Sequence, residues 1–87
     1  MESQQTSRQT IYSELIPIFH QVFDDDTLRI DDATTAHDVE HWDSLNHIQL
    51  VVAVEKKFQI RFKVAEITSW PTVGAFVDSI QAKLNAR

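Results

Sequence analysis

The stretch His37–Phe58, HDVEHWDSLNHIQLVVAVEKKF, decides the fold. Up to Asp43 it is acidic and without period; from Ser44 to Phe58 it is apolar-rich and free of Gly and Pro. At an advance of ~100° per residue, His47, Leu50, Val51, Val54 and Phe58 fall on one stripe of a helix. Leu45, Ile48 and Val52 fall on a second stripe, with Ser44 and Glu55 between the two. A helix on the surface of a small bundle needs one apolar stripe. The second is either a docking surface left in water or a face buried by surrounding helices. Asp43 is placed to cap the helix by accepting from first-turn N–H groups. Ser44 at the helix start is either an ordinary helix-start serine or the bearer of an anion, because free N–H groups and the helix dipole favour a phosphate there.

Outward from this helix the chain reads as all-α. From about Ser7, the residues Ile11, Leu15, Ile18, Phe19, Val22 and Phe23 recur at helical spacing. Pro17 lies inside that pattern and predicts a kink or a late helix start. The run Asp24-Asp25-Asp26 ends the first helix. Residues 24–43 form a long Asp- and Thr-rich loop, pinned to the core by Leu28, Ile30 and Val39, with a short helical turn expected within Ala33–Val39. Long loops in compact domains tend to carry function or to be disordered. After Phe58, the alternating 59–63, QIRFK, reads as an extended link, and Val64 to Ser69 as one or two helical turns ended by Pro71. Thr72 caps a last helix running to about Leu84, with Val73, Phe76, Val77, Ile80 and Leu84 on its inner face. Residues 1–6 are expected to be disordered, and residues 7–87 to form a single domain of three main helices and one short one.

Composition sets limits on function. The 87 residues suffice for one small core, burying roughly 60–65% of the unfolded surface, and not for a deep catalytic cleft. The absence of cysteine excludes disulfides, thiolate metal sites and any thiol chemistry of the chain's own. A net charge of −5 makes a poor nucleic-acid binder. Charge is unevenly spread: residues 24–43 hold eight acids against one base, and the remainder five acids against seven bases. Lys56, Lys57, Arg61 and Lys63 make a short basic run. No signal-peptide core and no membrane-length apolar segment is present, so a cytoplasmic setting is expected.

Residue types alone allow three chemical sites. His37 and His41 are four apart but precede the helix, where solvated loop histidines are the simpler reading than zinc ligands. Ser44, Asp43 and His47 hold the residue types of a hydrolase triad, but the helical wheel turns His47 inward and no oxyanion hole is evident. Asp24 and Asp26 could open a calcium loop, but Arg29 and Thr35 stand where its glycine and glutamate are needed. No metal is therefore expected.

Trp42-Asp43-Ser44-Leu45, followed by Ile48, Leu50, Val54-Glu55 and Phe58, the Phe-x-Ile link and the restart at Thr72-Val73-Gly74, closely resembles the acyl carrier proteins of fatty-acid and polyketide synthesis. The similarity covers roughly residues 10–84. It implies an antiparallel four-helix bundle with a long loop between helices 1 and 2 and a short third helix. It also implies that Ser44, flanked by Asp43 and Leu45, accepts 4′-phosphopantetheine from coenzyme A through a separate phosphopantetheinyl transferase. The arm's thiol holds acyl groups as thioesters, which fits a chain with no cysteine. The implied partners are acyl-loading, condensing or acyl-transfer enzymes, met by Leu45, Ile48, Gln49, Val52, Glu55 and Lys56; the carrier itself is non-catalytic and a monomer. The acyl chain is expected to lodge inside the bundle, against His47, Leu50, Val54 and Phe58.

The chain departs from the family in ways that bear on partners. Where many members carry acids along the second helix, this one has Asn46, Gln49, Lys56 and Lys57, leaving Asp43 and Glu55. A partner with acids of its own near Lys56–Lys63 follows. Trp42 is bulky and is expected to shield the arm's base. Glu40-His41-Trp42 stands where peptidyl carriers usually have glycines, favouring an acyl over an aminoacyl cargo. The initial Met and short tail fit a free-standing protein. The alternative from another class is a small helical interaction module with no prosthetic group, which would not need Ser44.

Overall fold

The computed structural model describes residues 7–86; the expectation for residues 1–6 lies outside them. Four helices, α1 (Arg8–Phe23), α2 (Ser44–Phe58), α3 (Val64–Ile67) and α4 (Val73–Ala86), form the bundle expected from the pattern, with a single 3-10 turn, Ala36–Asp38, in the long loop. No strand occurs among the described residues.

Helix α1 starts where Ser7 Oγ accepts from the Thr10 N–H. Its residues Ile11, Leu15, Phe19 and Phe23, spaced by four, are buried. Pro17 does not delay the start: the helix runs through it from Arg8. The reason is position. Pro17 and Ser13, whose carbonyl loses its ladder partner, both lie on the exposed face, where water can take the missing bond. The helix ends at Asp24, which adopts a left-handed φ of 53° while its N–H returns to the His20 carbonyl.

The core is built on α1, which packs against both α2 and α4. Leu50, Val51 and Val54 of α2, Val73, Phe76, Val77 and Ile80 of α4, and Ile60 and Phe62 of the link complete it. Val39 is buried with them, and Leu28 and Ile30 pack against it in part, so the three apolar loop residues do pin the loop.

Most of the loop's order comes from its own polar residues. Asp25 accepts from the Thr27 N–H (3.0 Å) and Asp31 from the Ala33 N–H (2.9 Å), while Thr34 Oγ1 accepts from the Asp31 N–H (2.9 Å). Asp38 caps the 3-10 turn through the Thr35 N–H (2.9 Å). These are the short side-chain-to-backbone turns that Asp and Thr favour. His20 donates from Nε2 to the Leu28 carbonyl (2.8 Å) and ties the loop to α1.

The loop is also fastened to the start of α4. The Val73 N–H donates to the Thr34 carbonyl (2.8 Å) and the Gly74 N–H to the Asp32 carbonyl (3.1 Å), while Thr72 Oγ1 accepts from the Ala75 N–H (3.1 Å) as expected. Three of the otherwise unpaired donors of the first turn are thereby satisfied. Gly74 is the chain's one glycine, and a Cβ there would lie 2.7 Å from the Asp32 carbonyl oxygen. Arg8 closes the same corner, donating to Asp32 (2.7 Å), to Asp78 and to the Gly74 carbonyl (3.2 Å); the Tyr12 hydroxyl donates to Asp32.

Gly74→Ala should therefore destabilise despite alanine's better helix propensity. The overpacking of backbone on backbone costs about 1–3 kcal/mol against a gain of at most about 1 kcal/mol, and urea denaturation should show a lower midpoint; an equal or higher midpoint would remove the packing argument. A second outcome concerns acid. The Tyr12 hydroxyl, and then Arg8, hold the Asp32 carboxyl below its usual range. Its contribution is thus complete above the ordinary carboxylate pKa of roughly 4 and disappears as pH falls through the lower native value. In thermal melts from pH 7 to pH 2, Asp32→Asn should lower the midpoint at neutral pH and flatten its decline in acid, whereas parallel acid profiles would show that Asp32 carries none of it.

Candidate functional site

The turn before α2 is built to present a helix end. The chain reverses at His41, which takes a left-handed φ of 67°, and the Asp43 N–H donates to the His41 carbonyl (2.9 Å). Asp43 Oδ1 accepts from the Asn46 N–H (2.9 Å), the N-cap bond expected of it, worth about 1 kcal/mol. Asn46 adds a clamp that sequence reading missed: its Nδ2 donates back to the His41 carbonyl (2.7 Å). Asparagine in the first turn behind an Asp cap is a faint signal, since the same residue is common on exposed helix faces.

Ser44 is the first residue of α2 and is exposed. Its hydroxyl has no hydrogen-bond partner among the described residues, and neither have the N–H groups of Ser44 and Leu45. Asp43 has satisfied Asn46 and, through its carbonyl, His47 (2.8 Å). A nucleophilic oxygen and two free donors thus share the positive end of a 15-residue helix, a setting that suits a phosphate ester.

His47, one turn on, is not a base for Ser44. Its Nδ1 accepts from Trp42 Nε1–H (3.0 Å), since an indole can only donate. Its Nε2 therefore carries the proton and donates to the Ile67 carbonyl of α3 (2.9 Å). Both nitrogens are engaged, and α2 is tied to α3. Trp42, whose bulk suggested a shield for the arm's base, is half-buried. It turns inward, with its ring centroid 5.5 Å from those of Phe19 and Phe23.

The question of the second stripe is settled by exposure: Leu45, Ile48 and Val52 are 67%, 50% and 43% exposed. They run from Ser44 along the open face of α2, beside exposed Gln49 and Lys56. Glu55 is half-buried and accepts from the Phe62 N–H (2.9 Å), so part of its carboxylate secures the link rather than facing outward. Of the basic run, Lys57 pairs with Glu14 (3.0 Å) across α1–α2; Lys56, Arg61 and Lys63 are exposed and without an ion pair among the described residues. Val64, at the start of α3, is 78% exposed, a surface apolar residue that the pattern did not single out. His37 and His41 are exposed on the loop, and among the described residues no three metal-ligating side chains group together.

Residues 13–80 match the family model described as the phosphopantetheine attachment site, and the chain belongs to that family. It is similar in structure to a holo acyl carrier protein from Geobacter metallireducens, whose solution structure matches with a TM-score of 0.80 at 39% identity over 85% of each chain. No match was found among curated proteins. Bundle, capped helix end and family match together define an acyl-carrier domain bearing a phosphopantetheine attachment site.

Proposed function

We propose that Ser44 is the attachment residue and that residues 7–87 act as one non-catalytic carrier domain of acyl thioesters in the cytoplasm. The observation that supports this reading most is the exposed Ser44 hydroxyl at a capped helix end with two unpaired N–H groups beside it. In the loading step a bond forms between Ser44 Oγ and phosphorus as the pyrophosphate bond of coenzyme A breaks. The nucleotide leaves, and the serine proton passes to the separate transferase. His47 is bonded at both nitrogens and is not the acceptor of that proton. The donors of Ser44 and Leu45 would hold the resulting phosphodiester. Once attached, the group supplies a thiol on a flexible arm, the chemistry a cysteine-free chain lacks.

Partners meet the open face of α2 through Leu45, Ile48, Gln49 and Val52, with Lys56 and the outer part of Glu55 at its far end. A surface hollow of about 360 Å³, lined by Val52, Glu55, Lys56, Gln59 and Arg61, continues the stripe toward the basic run. An acyl-loading, condensing or acyl-transfer enzyme with an apolar seat and acids facing Lys56 and Arg61 fits this surface. Charge of this kind governs on-rate and partner choice more than raw affinity.

Incubated with coenzyme A, magnesium and a broad-specificity phosphopantetheinyl transferase, the folded apo protein should gain the mass of one arm, and Ser44→Ala should gain none. No gain in the unmodified parent would favour an interaction module that works without an arm. For the partner face, Lys56→Glu is expected to lower kcat/KM selectively with loading enzymes that present acids there; unchanged kcat/KM with every cognate enzyme would remove that surface assignment.

A further inference from the structure

The backbone is strained just ahead of Ser44. Among the described residues, Asp24, His41 and Gln59 take a left-handed φ without being glycine. Asp24 and Gln59 end α1 and α2, and each is held by an N–H bond back into its helix. His41 ends no helix. It is the third residue of the turn Val39–Trp42, which the Trp42 N–H closes on the Val39 carbonyl (3.4 Å). A φ of 67° there, with none positive at Glu40, marks a type II turn, and glycine or asparagine is the usual residue at that place. The His41 ring is exposed and makes no hydrogen bond among the described residues. The hold on this conformation therefore comes from the backbone.

The point of hold is the His41 carbonyl. It accepts the Asp43 N–H (2.9 Å), which closes a γ-turn about Trp42, and the Asn46 Nδ2–H (2.7 Å). Chemistry fixes the orientation of the Asn46 amide, because a carbonyl oxygen can only receive its NH2 end. The backbone N–H of Asn46 donates to Asp43 Oδ1 (2.9 Å). Asn46 thus reaches back over Ser44 to grip both Asp43 and His41, and Ser44 lies inside that bracket with its hydroxyl free. A left-handed residue other than glycine persists only where its surroundings over-determine it, and such residues gather at functional sites. Take the Asn46 amide away, and one bond spanning two residues is left on the His41 carbonyl.

We propose that Asn46 is a positioning residue of the loading reaction. By holding His41 left-handed it fixes the start of α2, so that Ser44 Oγ meets the phosphorus of coenzyme A in line with the departing nucleotide while the serine proton passes to the transferase. The proposal rests on the carrier reading of Ser44, but it fails separately from it. Loosening the turn leaves the open face of α2, where partners dock, in place. Fewer of the bound molecules are then competent, so kcat falls while KM holds. Loss of a direct contact between Asn46 and the transferase does the reverse and raises KM at unchanged kcat.

The test is steady-state loading of the apo protein by a broad-specificity phosphopantetheinyl transferase with coenzyme A. Mass is read over a range of carrier concentrations, and circular dichroism confirms that each variant is folded. Asn46→Ala keeps the backbone cap bond and loses the amide. It should lower kcat about tenfold with KM within about twofold of the parent, since misplacing a reacting group by about 1 Å can cost on the order of 100-fold. In the double variant His41→Gly with Asn46→Ala, kcat should return to within about threefold of the parent, because glycine takes a positive φ without help. A parental kcat in Asn46→Ala, or a raised KM at unchanged kcat, would overturn the proposal. So would a double variant as slow as Asn46→Ala, since strain at His41 is then not what Asn46 opposes. If the parent does not load, or Ser44→Ala loads as well as the parent, the carrier reading itself has failed and the positioning role falls with it.

Discussion

The close approach of α4 to the long loop is the constraint on which the rest of the molecule depends. Residues 24–43 carry eight acids and few apolar side chains, so burial alone cannot hold them. They are held because the first turn of α4 needs acceptors for its N–H groups and the loop carbonyls of Asp32 and Thr34 supply them. That exchange is possible only where the helix backbone meets the loop without a Cβ between them, at Gly74. With the loop fixed at its middle, the turn at His41 and the cap at Asp43 acquire a defined place, and so does Ser44.

A carrier also needs one group left free while everything around it is committed. In this chain the commitments are explicit. Asp43 is used by Asn46, Asn46 by His41, His47 by Trp42 and Ile67, and Glu55 by Phe62. Among the described residues no buried side-chain polar atom lacks a partner. Against that background the Ser44 hydroxyl and its two neighbouring N–H groups stand out as unsatisfied but exposed, where water, or a phosphate, meets the need at little cost.

Helices, their order and the capped start of α2 were legible in the sequence because they follow from local rules: apolar spacing, an Asp before the helix, Thr before the last one. The existence of a second stripe on α2 was legible too, but its exposure was not, because a helical wheel gives direction and not what lies opposite. Pro17 left a kink or a late start of α1 open, and the sequence could not exclude the late start, since the cost of a proline depends on whether the orphaned carbonyl reaches water, which is tertiary information. The packing of Trp42, two residues before Ser44, was hidden for a similar reason: that Phe19, Phe23 and the His47 nitrogen together offer an indole more than solvent does is also tertiary information.

A band of aromatic rings joins these lines. A small core without disulfides must reach adequate stability from few residues, and large rings bury the most area per residue. Here Phe19 and Phe23 of α1, Phe62 of the α2–α3 link, Trp70 of the α3–α4 link and Phe76 of α4 are joined through Trp42 and His47. The rings are also joined by hydrogen bonds, Trp42 to His47 of α2 and Trp70 to Ser79 of α4, so the same indoles that fill the core fasten the long loop to α2 and the α3–α4 link to α4, the work that a disulfide does in chains that have cysteine.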